Sequence, residues 1–61
     1  MNVIFEFMTI GSIVKVTAID TDSLTEISIQ GPASAGETVL KNQALRRLEY
    51  VLRKKKVNME N

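Results

Sequence analysis

The chain has 61 residues, no cysteine, no histidine, 44% hydrophobic residues and a formal net charge of +1. A chain of this length holds one small domain and hides only about 60% of the surface its unfolded form exposes, so it calls for a staple. Disulfides, thiolate metal sites, a cysteine nucleophile, and the commonest general base and metal ligand are all excluded, which leaves a partner subunit as the expected staple.

The opening run MNVIFEFMTI is apolar, but Glu6 interrupts it, no basic segment precedes it and no small-residue cleavage site follows. No stretch approaches the roughly 20 apolar residues of a membrane span. A cytoplasmic, soluble protein with no membrane partner is expected. Residues 2–10 and 13–20 read as two strands joined by Gly11-Ser12, a pair suited to a two-residue type II′ turn. That turn pairs Ile10 with Ile13, Phe7 with Val16, Phe5 with Ala18 and Ile4 with Ile19. One face then carries Val3, Phe5, Phe7, Val14, Val16 and Ala18, almost wholly apolar, so turn chemistry and hydrophobic pattern agree.

Asp20-Thr21-Asp22-Ser23 reads as a four-residue turn into a third strand, residues 24–30. With that loop Ile19 meets Leu24, Ala18 meets Thr25, Val16 meets Ile27 and Val14 meets Ile29, extending the same apolar face. Gly31-Pro32 closes the strand, because proline cannot donate to a ladder. Ser34 and Glu37 then have the spacing of a capping box. From Glu37 to Lys56 the residues Leu40, Ala44, Leu45, Leu48, Val51 and Leu52 form one stripe at a 3.6-residue period, with polar residues opposite. The segment lacks glycine and proline and makes a helix of about five turns, roughly 30 Å long.

The expected fold is α+β: a three-stranded antiparallel meander packed on one C-terminal amphipathic helix, βββα in two layers. Residues 1–56 form the single domain, and residues 57–61 a flexible C-terminal tail. The runs IGSIVKVTAIDTDSLTEISIQGPAS and ALRRLEYVLRKKK resemble a family of short bacterial proteins of about this size and unknown function. The resemblance covers roughly Phe5 to Lys56. It implies a free-standing protein and carries over no functional residue.

Three constellations invite a chemical reading and lose to a plainer one. In GPASAGE, Glu37 stands where a phosphate-binding loop needs lysine, so the segment reads as a helix cap. Asp20 and Asp22 have no third carboxylate near them for a calcium ion, and read as turn formers. Glu6, Lys15 and Glu26 should share the sheet face away from the helix, with Thr17 between the glutamates, but on a wet surface cross-strand ion pairing is the default. No catalytic, cofactor or metal residue and no small-molecule substrate is expected, and the protein is read as a non-enzyme.

Charge is unevenly spread. Residues 1–45 carry two lysines against five carboxylates, whereas residues 46–56 carry six basic residues against one glutamate. Arg46, Arg47, Tyr50, Arg53 and Lys54 share one helical face, basic residues around an aromatic, as in nucleic-acid-binding surfaces. A solvated face whose charges complement the helix dipole is the plainer explanation of them. The outer sheet face is not properly polar: Ile4, Ile19 and Leu24 should form one apolar row, and Met8, Ile10 and Ile13 a patch near the first hairpin. The leading expectation is therefore a small non-catalytic interaction module acting as a homo-oligomer, first a dimer through this face, with edge-strand pairing through strand one or three as the competing geometry. The alternative is a nucleic-acid-binding accessory protein with weak affinity.

Overall fold

A computed structural model describes residues 2–60, with side chains for residues 2–55. It contains β1 (Val3–Ile10), β2 (Ile13–Asp20), β3 (Thr25–Pro32), a single 3-10 turn (Ala33–Ala35) and α1 (Glu37–Glu60). The sheet is antiparallel with order β1-β2-β3, so the fold is the expected α+β meander with a C-terminal helix. The tail expected over residues 57–61 falls on positions whose side chains lie outside the described residues.

The first hairpin has the expected register, from Ile10 opposite Ile13 to Val3 opposite Asp20. Gly11 has φ 60, while Ser12 is not among the residues of positive φ. Positive φ at the first central position alone is the signature of the II′ turn, whose twist matches that of the strands.

The second hairpin departs from expectation by two residues. Ala18 faces Ile27, Val16 faces Ile29 and Ile19 faces Glu26. The four-residue turn is Thr21 to Leu24, not Asp20 to Ser23. The cause is Asp20. It stays in the strand and accepts hydrogen bonds from the Ser23 hydroxyl at 2.7 Å and from the backbone N–H of Asp22 at 3.4 Å. Closing the turn on that carboxylate leaves Leu24 as its last residue, in the left-handed region at φ 57 and 81% exposed. A slip of two preserves side-chain parity, so Thr25, Ile27 and Ile29 still face the helix.

α1 returns over the strand it follows. Leu40 lies against Gly31 near the end of β3, so closely that a Cβ there would collide with its Cδ2. Some four turns later, Lys55 Nζ donates to Thr25 Oγ1 at 3.1 Å, at the start of the same strand. Val16, Ala18, Leu40, Ala44 and Leu48 form the core, with Val3, Phe5, Val14, Ile27, Ile29 and Leu52 packed around it. Leu48 is central, as its place in the stripe predicts. Leu45, expected beside it, is half-buried on the flank. Phe7, which lies on the apolar face expected to pack against the helix, is 38% exposed. The reason is helix placement: α1 lies mainly over β2 and β3, and on β1 Phe5 packs against the core while the Lys41 Nζ stands 5.1 Å from its ring centre.

The helix start also differs from the capping-box expectation. Ser34 sits inside the 3-10 turn, and Glu37 is the first helical residue rather than the third. Gly36, at φ 91 and ψ 150, accepts the first helical hydrogen bond from the Leu40 N–H at 3.2 Å. Glycine alone takes that conformation cheaply, so the backbone bend rather than the Ser34 side chain sets where α1 begins.

Candidate functional site

The sheet face opposite α1 is the first surface of interest. Parity places Ile4, Glu6, Met8 and Ile10 there from β1, Ile13, Lys15, Thr17 and Ile19 from β2, and Glu26, Ser28 and Gln30 from β3. Ile4, Met8, Ile10 and Ile13 are all exposed, with Ile10 reaching 64%, and Ile19 is half-buried. Two apolar groups result. Ile4 lies beside Ile19 near the second turn, and Ile10 lies beside Ile13 next to Met8 and Pro32. Leu24 does not complete the first row as expected: Glu26 takes the place opposite Ile19, and Leu24 projects from the turn.

Between the groups lies an open depression of about 370 Å³ touched by Glu6, Met8, Lys15, Thr17 and Glu26. Thr17 is buried, and its hydroxyl meets that of Ser28 at 3.0 Å. The observed register separates the groups that a paired-carboxylate site would need. Thr17 faces Glu6 on one side but Ser28 on the other, so it does not stand between two glutamates. Lys15 faces Met8 and Gln30, which makes it a diagonal neighbour of Glu6 and not of Glu26. Both glutamates are exposed.

The second surface is the solvent side of α1. Arg46, Arg47, Arg53 and Lys54 are all exposed. Tyr50 lies between two of them, with the Arg47 guanidinium and the Lys54 ammonium each 5.7 Å from its ring centre. The helix thus brings all five expected residues together. Its own cations stack on the ring, leaving it a poorer platform for a base than the sequence suggests.

A third cluster ties the second turn to the helix. Ser23 Oγ also lies 2.8 Å from Thr25 Oγ1. Because the single Ser23 proton goes to Asp20, Thr25 donates to Ser23, and Lys55 donates to Thr25. The chain of donors runs from ammonium to carboxylate. The Ser23 hydroxyl, aided by the N–H groups of Asp22 and Ser23, holds the Asp20 carboxyl below its usual pKa against the opposing effect of burial. This is turn architecture rather than a cation site. Among the described residues no group of three or more His, Cys, Asp or Glu side chains is placed to hold a metal ion.

A further feature is the free edge of β1, for which the sequence reading named no residues. The signal was present in its composition: VIFEFMTI has no proline, glycine or lysine. The Thr21 N–H bonds to the Asn2 carbonyl at 2.9 Å, so even-numbered residues of β1 bond inward to β2. The N–H and C=O groups of Val3, Phe5, Phe7 and Thr9 therefore point outward.

Among the described residues no helix is long and apolar enough to cross a membrane. Residues 1–56 match the family model of a domain of unknown function, DUF6898, and the chain belongs to that family. No curated protein and no solved structure matches it.

Proposed function

We propose that this protein is a small, non-catalytic interaction module of the bacterial cytoplasm that works as a homo-oligomer, a dimer in the first instance. The observation that supports this reading best is the outer sheet face, where Ile4, Met8, Ile10 and Ile13 are exposed on the side of the three-stranded sheet opposite α1. Scattered apolar residues on a surface mean little, but several large ones on one small sheet face are what an interface looks like before its partner is in place. Ile19 and Leu24 complete the set of residues assigned to it. Self-association would also supply the stabilisation that a short, cysteine-free chain lacks. Sedimentation at tens of micromolar, the range in which a module of modest affinity associates, should show a species heavier than one chain. A protein that sediments at the mass of one chain there refutes the reading.

A second reading rests on α1. Arg46, Arg47, Arg53 and Lys54 turn four cations to solvent around Tyr50, a footprint suited to phosphate contacts with nucleic acid. Binding of this kind is weak and salt-sensitive. Each lost contact flattens the log K against log salt slope by about 0.7–0.9. An Arg46→Glu/Arg53→Glu variant that binds RNA and DNA as the wild type does would remove α1 from consideration.

A further inference from the structure

We infer that the second copy docks along the free edge of β1. There, two β1 strands pair antiparallel about a two-fold axis and fuse two three-stranded sheets into one of six strands. The inference rests on the self-association proposed above and places its contact at the strand edge, so that the outer sheet face continues across the dimer rather than being covered by it.

The two edges of the sheet differ in kind. On β3 the Ala33 N–H bonds to the Ser12 carbonyl at 2.8 Å, which leaves Glu26, Ser28, Gln30 and Pro32 as the residues whose backbone faces outward. Pro32 has no N–H to offer, and Glu26 adds a charge, both common means of discouraging edge pairing. On β1 the outward residues Val3, Phe5, Phe7 and Thr9 offer an unbroken series of donors and acceptors. No proline or lysine guards it, and its ladder to β2 runs without a bulge. Because α1 lies over β2 and β3, the approach to β1 is open on the helix side too. Phe7 is left exposed, and a depression of about 190 Å³ bounded by Phe7, Thr9, Val14, Ala33, Glu37 and Leu40 lies next to it.

Two-fold symmetry allows few registers, and side-chain chemistry separates them. Centring on Glu6 sets two carboxylates directly opposite each other, which is destabilising. Centring on Phe5 pairs Met8 with Asn2 and leaves Ile10 beyond the end of the ladder. Centring on Phe7 pairs Phe7 with Phe7, Phe5 with Thr9, Ile4 with Ile10 and Glu6 with Met8, so that every residue from 4 to 10 has a partner. Phe5 of the second copy then arrives beside Thr9, at the depression on the helix side.

The same register organises the outer face. Ile13 and Ile10 of one copy continue into Ile4 and Ile19 of the other, so two separate apolar groups per chain become two continuous rows crossing the dimer. Lys15, which faces Met8, comes to lie two strand spacings, about 10 Å between backbones, from Glu6 of the second copy. A lysine and a glutamate bridge that span over the intervening Met8. One register therefore joins the apolar groups and brings together opposite charges.

The absence of native cysteine makes the test direct. Opposed residues of a hydrogen-bonded pair have Cα atoms about 5.5 Å apart, inside the range of about 4.4–6.8 Å that a disulfide spans. Phe7→Cys, at a position outside the core, should oxidise to a covalent dimer, whereas Glu6→Cys should do so far more slowly. Phe7→Lys should halve the sedimenting mass to the 6.8 kDa of one chain while leaving the far-ultraviolet circular dichroism intact. Ile19→Glu, which would split a dimer built face to face, should leave the mass unchanged. A wild type that sediments as a monomer removes the proposed self-association, and this inference with it. A wild-type dimer whose Phe7→Cys variant does not crosslink keeps self-association and overturns the edge geometry. Faster crosslinking by Glu6→Cys, or a monomeric Ile19→Glu, also overturns it.

Discussion

Truncating Leu48 to alanine tests where the helix sits on the sheet. Leu48 is fully buried, and its neighbours in the core are Val16, Ala18, Leu40 and Ala44. Removing the branched end of the side chain forfeits about 0.8 kcal/mol per methylene-sized group in transfer free energy. A further cost comes from the cavity. Two of the neighbours are alanines, with no side chain to swing into the space, so little collapse is available. That places Leu48→Ala in the middle or upper part of the usual range for such substitutions, at about 3–4 kcal/mol. A chain of this length has about 3–9 kcal/mol to lose, so the variant should be barely folded. Urea titration followed by circular dichroism at one fixed protein concentration measures the loss, and the melting temperature should fall by more than about 12 °C. Leu45→Ala, half-buried on the flank, is the internal comparison and should cost less than half as much. If Leu45→Ala proves the more damaging of the two, α1 is rotated from the placement described.

Leu24→Asn should raise the melting temperature, because asparagine relieves a left-handed residue that costs leucine about 1 kcal/mol or more; a fall would show that the Leu24 side chain itself holds the turn. Gly31→Ala should destabilise by about 1–3 kcal/mol, since the added methyl meets a Leu40 side chain that is itself buried. Combining it with Leu40→Val, which makes room, should recover part of the loss in the same urea titration. Asp20 carries a pH signature. Its folded pKa lies below the unfolded value of 3.8, so its contribution is present above about pH 4 and fades as pH falls through the folded value. The gap in melting temperature between wild type and Asp20→Asn should therefore close in acid; a gap that stays constant down to pH 2 refutes the role of the carboxylate in the turn.

The first hairpin was legible residue by residue because a two-residue turn beginning with glycine admits one register, and the alternating apolar residues agree with it. The second was legible in parity but not in phase. A four-residue loop can close at Asp20 or one residue later, and both choices point Ile27 and Ile29 toward the helix. What decides is that the Asp20 carboxylate binds Ser23, which forces a leucine into a conformation that sequence preferences argue against. The helix stripe revealed which residues face the sheet, yet not which strands they cover. Phe7 has the right parity for the core and misses it because α1 lies over β2 and β3. Ser34 and Glu37 have the spacing of a cap, but Pro32 and the bend at Gly36 place the helix start beyond its reach. The basic residues on α1 do share a face, whereas the row of Ile4, Ile19 and Leu24 lost its third member to the shift in phase.

The connections of this chain have a kinetic consequence. Loops of two and four residues join strands that are neighbours in space, and the helix doubles back over the strand it has just left. Little loop-closure entropy is spent before contacts form, which places the domain among fast-folding mixed topologies, with relaxation in milliseconds or less. For a strand such as β1, speed protects. While β2 is unformed both of its edges are open, and an apolar segment of eight residues with two open edges is a template for indiscriminate pairing. A hairpin that closes within about 10 microseconds reduces that hazard to a single edge almost as soon as the segment exists. Lengthening the Gly11-Ser12 turn with a flexible insert should therefore lower the yield of soluble protein more than it lowers stability.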